Sequence, residues 1–231
     1  MVKRVINIFG KEISGIHSAA YLLAIFTLVS QFMALFRDKI LAHIFGGGLS
    51  LDIYYAAFKI PDFVFATVGS FVSISVLVPM LAKKAHENPD QIKKYIDSIF
   101  TAFYLLMIFV CIVCFFAMPY FVSVLFKGFD PSAQIETVHI SRILLLSPLL
   151  LGLSNFFGSI VQYQKRFLIY SISPVFYNLG IILAILVGAK RFGIIAVVYG
   201  VIIGAVLHLL IQFGYVFLSG NSPTLRLKIN K

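Results

Sequence analysis

The sequence predicts an all-α polytopic membrane protein, a bundle of about six transmembrane helices, and three observations carry that expectation. Hydrophobic residues make up 60% of the 231-residue chain and charged residues only 12%, with a mean hydropathy of +0.98. A soluble domain carries about 45–50% apolar and about 25% charged residues, so this chain could not cover a folded surface in water. Apolar runs of twenty or more residues recur, each long enough for a helix to cross about 30 Å of hydrocarbon. The alternating segments of about ten residues that mark a membrane β-barrel do not occur in the sequence.

The expected spans are about 15–36, 53–81, 95–126, 140–162, 167–189 and 193–218. The first is too long for the apolar core of a signal peptide, about 7–15 residues, and is read as a retained helix. It is followed by Arg37-Asp38-Lys39 and a short apolar piece ending in Gly46-Gly47-Gly48. The longest polar stretch, Lys83–Asp97, contains Asn88-Pro89-Asp90, which reads as the start of a short amphipathic helix. The third and fourth spans are joined across Phe129-Asp130-Pro131-Ser132, a turn signal. The fifth and sixth follow on Lys165-Arg166 and Lys190-Arg191. Residues 1–221 thus read as one six-helix unit, and 222–231 as a cytoplasmic tail or the start of a link.

The formal charge of +10 does not point to nucleic acid, because basic residues gather at the ends of apolar runs rather than in an aromatic-interleaved patch. With the first end inside, the inner segments hold twelve basic residues: Lys3, Arg4, Lys11, Lys83, Lys84, Lys93, Lys94, Lys165, Arg166, Arg226, Lys228 and Lys231. The outer segments hold six: Arg37, Lys39, Lys127, Arg142, Lys190 and Arg191. This bias predicts both termini in the cytoplasm. Cys111 and Cys114 lie inside an apolar run with no further ligand nearby, and read as small apolar residues rather than a metal or redox pair. No histidine is spaced with another as a metal pair, and no nucleophile motif, P-loop or dinucleotide fingerprint is present. No cofactor and no enzymatic chemistry are expected.

The informative residues are those that hydrocarbon rejects, since ionisable groups within spans face a bundle interior or a watery cavity and mark function. Lys59 and Asp62 sit three apart on one helix face, with Pro61 between them freeing a backbone carbonyl. They read either as a self-neutralising pair or as cavity lining. Arg37 and Asp38 mark the outer edge of the first helix if it ends at Phe36, and reach a cavity if it continues. Pro61, Pro148 and Pro174 are expected helix kinks, with Pro79 and Pro119 further interruptions. Gly200 and Gly204 form a GxxxG that permits close helix packing.

The stretch Ser30-Gln31-Phe32-Met33-Ala34-Leu35-Phe36-Arg37-Asp38 leads into Ile44-Phe45-Gly46-Gly47-Gly48 and Asp52. It continues through Ala57-Phe58-Lys59-Ile60-Pro61-Asp62 to Val78-Pro79. This succession resembles the opening signature of the MurJ (MviN) family of lipid II flippases, approximately SRxxGFxRDxxxAxxFGxGxxxDAFxxAFxxPNxxR. Lys165-Arg166-Phe167 and Pro174 through Asn178 resemble the family's fourth-to-fifth span region. The resemblance covers roughly residues 10–220.

The resemblance implies a carrier of the multidrug/oligosaccharidyl-lipid/polysaccharide exporter superfamily in the bacterial cytoplasmic membrane. Such a carrier moves an undecaprenyl-diphosphate-linked oligosaccharide between leaflets by alternating access, in contact with membrane lipids. Its two six-helix lobes surround a cationic cavity, and six spans correspond to one lobe, which implies a second lobe as partner. Arg37 then matches a cavity arginine holding the diphosphate, with Lys59 a second basic position. Ser30, Asp38, Asp52 and Asp62 fall at cavity or gating positions. The sequence departs from the family pattern at Gln31 and Phe65, where arginine is usual, and at Ser70, where glutamate is expected. The alternatives are another lipid-linked polysaccharide exporter of that superfamily and a non-transporting membrane scaffold.

Overall fold

The computed structural model describes residues 15–69, Pro79, residues 92–220 and residues 222–225. Within them the chain forms α1 (Ile16–Phe45), α2 (Leu49–Val68), α3 (Ile92–Leu125), α4 (Pro131–Leu144), α5 (Leu146–Tyr163), α6 (Phe167–Phe192) and α7 (Ile194–Leu218). No strand occurs among the described residues. Leu145, with φ −60° and ψ −16°, alone separates α4 from α5, so the two form one nearly continuous rod. Counted that way there are six helices. Five are long and apolar enough to cross a membrane, and the remaining one, α2, carries Asp52, Lys59 and Asp62 within its 20 residues. The protein is an all-helical, multi-pass membrane bundle.

Several boundaries differ from the sequence reading. The first helix does not stop at Phe36 but runs to Phe45, because no glycine or proline intervenes before Gly46, whose N–H bonds to the Ala42 carbonyl. Arg37, Asp38 and Lys39 are therefore helical. The helix of the fourth span begins at Pro131 rather than near 140, so Arg142 lies eleven residues into a helix instead of at its outer end. Asp130 caps that start, accepting the Ala133 N–H at 2.7 Å. The expected helix at Asn88-Pro89-Asp90, Ser70, the basic residues of both chain ends, and the second half of the second span apart from Pro79 lie outside the described residues.

The prolines act in three ways. Pro61 and Pro174 lie inside helices that continue past them. Pro148 falls in the first turn of α5, and the helix is interrupted three residues earlier, where the proline ring crowds the carbonyl of Leu144. Pro119, inside α3, cannot donate to the Phe115 carbonyl. Arg142 fills that vacancy from α4: its Nε donates to Phe115 O at 3.0 Å, and its guanidinium stacks 4.7 Å from the Phe115 ring centroid. In lipid an unsatisfied backbone group costs several kcal/mol, so this cross-helix bond joins α3 to α4.

Helices α6 and α7 form the most closely packed pair, folded back on each other across Gly193. That residue ends one helix and starts the next at φ 61°, a left-handed conformation that favours glycine. The GxxxG glycines face inward, against α6. A Cβ on Gly204 would collide with the Tyr177 carbonyl, and one on Gly200 would lie 2.5 Å from the Ala184 Cβ. The small residues therefore serve internal packing. One apolar core joins α1, α2, α4, α6 and α7 around Leu41, Tyr54, Ile140, Ile185 and Val198. A second joins α2, α3, α5 and α7 around Val68, Met107, Met118, Phe156 and Val216.

Buried polar groups stitch these layers. His208 of α7 meets the Ser154 hydroxyl of α5 at 2.7 Å through Nδ1, which makes it a satisfied core histidine. Cys114 packs in the second core, and Cys111 approaches the Leu145 carbonyl through its Sγ at 3.7 Å; both are free thiols. At the start of α3 the buried carboxylate of Asp97 accepts from the Thr224 N–H at 2.8 Å and from its hydroxyl at 2.9 Å. The segment following α7 is thereby fastened to α3.

Gly204→Ala is expected to cost about 1–3 kcal/mol of stability by forcing α6 and α7 apart. Gly214→Ala, on the same helix but with nothing within 4 Å of the added carbon, is expected to be neutral or slightly stabilising, since alanine is the better helix former. Thermal unfolding of the two variants side by side in detergent checks the contrast.

Candidate functional site

The polar residues of α1 and α2 converge because the two helices barely touch each other, each leaning instead on other elements: α1 on α6, α2 on α4 and α5. Between them opens a cleft of about 390 Å3 lined by Arg37 and Asp38 of α1, by Tyr54, Tyr55, Phe58, Lys59 and Asp62 of α2, and by Tyr177 of α6. Positions 54, 55, 58, 59 and 62 recur at three- and four-residue spacing, so one face of α2 supplies that wall. Tyr54 packs edge-on to Tyr55 and Phe58, at 5.4 and 5.0 Å between ring centroids, and is itself buried.

Arg37 is held from two sides. Its Nε pairs with Asp38 Oδ1 at 2.9 Å, and its Nη1 donates to Asn178 Oδ1 of α6 at 3.1 Å. The amide nitrogen of Asn178 in turn donates to the Ser30 hydroxyl at 3.1 Å, the Ser30 carbonyl at 3.3 Å and the Pro174 carbonyl at 3.1 Å. Asn178 thus clasps α1 at two points about two helical turns apart, Ser30 and Arg37. A guanidinium has five N–H donors, and these two bonds leave the remainder for the cleft. Its side chain is 21% exposed, enough to present those donors to a ligand without surrendering its helix contacts.

Lys59 and Asp62 occupy the same wall, exposed to the cleft, and do not form an ion pair with each other. Ser30 touches the site through Asn178 alone. Asp52 stands apart: it sits exposed in the first turn of α2, where a carboxylate suits the positive end of the helix dipole. Gln31 is exposed on α1, and Phe65 packs beside Gly69 on α2. Pro61 is buried beneath the α2 wall, and Pro174 carries the carbonyl that Asn178 engages.

Two cations and two carboxylates line the cleft, so its formal charges balance. What distinguishes it is the directional donor set of Arg37 framed by tyrosines. Planar guanidinium donors match phosphate or carboxylate oxygens two at a time. Among the described residues no three His, Cys, Asp or Glu side chains converge as metal ligands. Sequence reasoning missed Asn178, Tyr54, Tyr55, Phe58 and Tyr177 as parts of this site. The available signal was an asparagine four residues after a proline in an otherwise apolar run.

The family described as lipid II flippase MurJ matches residues 41–231, a range that takes in Asp52, Lys59 and Asp62 and begins just after Arg37-Asp38. A probable lipid II flippase MurJ of Borreliella burgdorferi is 30% identical over 203 residues, 86% of this chain and 39% of that protein. A probable lipid II flippase MurJ of Buchnera aphidicola is 29% identical over 201 residues, 84% of this chain and 39% of that protein. The chain spans about two fifths of the length of these relatives. A solved lipid II flippase MurJ in an inward closed conformation superposes with a TM-score of 0.74 at 23% identity, over 90% of this chain and 44% of that one. A MOP superfamily transporter from Pyrococcus furiosus superposes at 0.65 with 13% identity, over 97% of this chain and 49% of that one. These two likenesses bear on the fold, and the extended family match bears on descent: the chain belongs to the MurJ family.

Proposed function

We propose that this chain is the N-terminal lobe of a flippase that carries lipid II, a polyprenyl-diphosphate-linked peptidoglycan precursor, across the bacterial cytoplasmic membrane by alternating access. The observation that carries this reading is the Arg37 cleft: a guanidinium on a helix long and apolar enough to cross a membrane, fixed by Asp38 and Asn178 and lining an open space. Intramembrane charge is costly and is retained where it serves a pathway. The reaction is non-covalent, so the lobe's task is to bind and release a diphosphate rather than to make or break a bond. Arg37 and Lys59 hold the diphosphate, Ser30, Asp38 and Asp62 position and gate the cleft, and Asp52 acts at its helix start.

A second six-helix lobe is the partner. The relatives are more than twice as long as this chain, and repeat-built carriers rock one bundle against another around a site between them. With charges balanced on this side, the excess of cations that a diphosphate requires comes from the facing lobe. Membrane lipids surround the rest. Both termini lie in the cytoplasm: the inner segments of the sequence hold twelve basic residues against six in the outer ones.

Two measurements test this reading. In a carrier containing both lobes, Arg37→Ala is expected to abolish lipid II translocation and Arg37→Lys to weaken binding with expression unchanged, while Arg191→Ala behaves as the parent. Loss of one charge-assisted contact is worth about 1.5–3 kcal/mol, roughly ten- to a hundredfold in affinity. Translocation by Arg37→Ala at the parent rate, with lipid II extracted leaflet by leaflet, would make Arg37 an anchor only. Separately, single cysteines at Asn88 and Ser132 are expected to react with an impermeant thiol reagent from opposite sides of the membrane. Labelling of both from one side overturns the orientation.

A further inference from the structure

A second charged feature lies on a different face, along the seam that α3 makes with α4 and α5. Two adjoining hollows of about 470 and 500 Å3 follow this seam, and Arg142 borders both. The first, toward the 126–130 turn, is walled by Pro119, Val122, Gln134, Val138 and His139. The second runs the other way and is walled by Ile112, Phe116, Leu146 and Leu149. The second is open to the bilayer, since Ile112, Phe116 and Leu146 are each about half exposed or more. The seam therefore passes from a polar end to an apolar end with one cation at the junction.

Arg142 sits eleven residues into α4, about 16 Å along the axis from its start. Its Nε is committed to the Phe115 carbonyl and one face to the Phe115 ring, and the side chain borders both hollows. No charged residue occurs between Ile112 and Val122 of α3 or between Leu146 and Leu149 of α5. Glu136, the acid on α4, lies about 9 Å away along the axis, is exposed, and borders neither hollow. His139, one turn above Arg142 on the same face, offers a second polar contact.

The geometry points to a binding site for one membrane phospholipid, its phosphate on Arg142 beside His139 and one acyl chain along the apolar hollow between α3 and α5. The phosphate supplies the counter-charge that the neighbouring helices lack, and the chain covers the exposed phenylalanine and leucine surface. The lipid belongs to the leaflet on the side of the 126–130 turn. This site is separate from the Arg37 cleft and does not rest on the transport reading.

Native mass spectrometry of the detergent-solubilised protein titrated with dioleoyl-phosphatidylglycerol tests it. One lipid is expected to bind ahead of the rest and to survive collisional activation, with dioleoylglycerol, which lacks the phosphate, at least tenfold weaker. Arg142→Gln retains an amide to reach the Phe115 carbonyl but loses the charge, and is expected to weaken that first lipid about tenfold or more. Leu146→Trp fills the apolar hollow from an exposed position, without touching the core, and is expected to weaken it similarly. Arg191→Ala is expected to bind as the parent does. Equal binding of the two lipids, or parent-like binding by Leu146→Trp, overturns the proposal, even if Arg142→Gln fails to fold.

Discussion

Asn178 is the residue on which the arrangement of the site depends. Helix α1 joins an apolar core only near its end, through Leu41 with Ile40, Ile44 and Phe45 beside it, and makes its main contact with α6. A helix so placed gains no hydrophobic advantage from joining the bundle, because lipid tails are as apolar as its leucines. Directional polar contacts must hold it. Asn178 provides them with one short side chain, donating to Ser30 and accepting from Arg37. The same amide also reaches the Pro174 carbonyl within its own helix, so the position of α1 and the local geometry of α6 are set by one group. Arg37 is thereby presented to the cleft at a fixed height, and its pairing with Asp38 restrains the remaining freedom of its side chain.

The same economy governs the proline in α3. A bilayer offers no water to a carbonyl whose partner has been removed, so a proline within a span requires a donor from elsewhere. Arg142 supplies one across a gap of 27 residues in sequence. The membrane thus tolerates a charge and a helix breaker in the same layer because each offsets the other. Pro148, one helix turn beyond the Leu144 carbonyl, shows the opposite outcome: the rod is interrupted at Leu145.

Much of this architecture was legible in the sequence because lipid imposes simple rules. Span number followed from apolar length, and the polar members of α2 stood out because Lys59 and Asp62 interrupt an apolar run. The first helix was read too short because Arg37-Asp38-Lys39 looks like an interface, and a charge triplet can be housed within a helix only if partners exist elsewhere in the fold. Arg142, counted by sequence among the outer basic residues, lies well inside the α4–α5 rod. Asn178 and Tyr177 escaped notice as site residues because a single amide or phenol in an apolar run carries no periodic signal; their partners lie about 140 positions away. Convergence of distant side chains is a property of packing, and local pattern does not encode it.

The contact between Asp97 and Thr224 has a mechanical consequence. A buried carboxylate that accepts two hydrogen bonds from one residue is a stiff joint, each such charge-assisted bond being worth about 1.5–3 kcal/mol. Without it, the segment after α7 would swing about Ser219 and Gly220 as a loose tether, and a displacement of that segment would be absorbed at the helix end. With it, the load passes sideways into the second turn of α3, and α3 and α7 are pulled as a couple. The lever arm of any movement transmitted through residues 222–225 is then the width of the bundle rather than the tip of one helix.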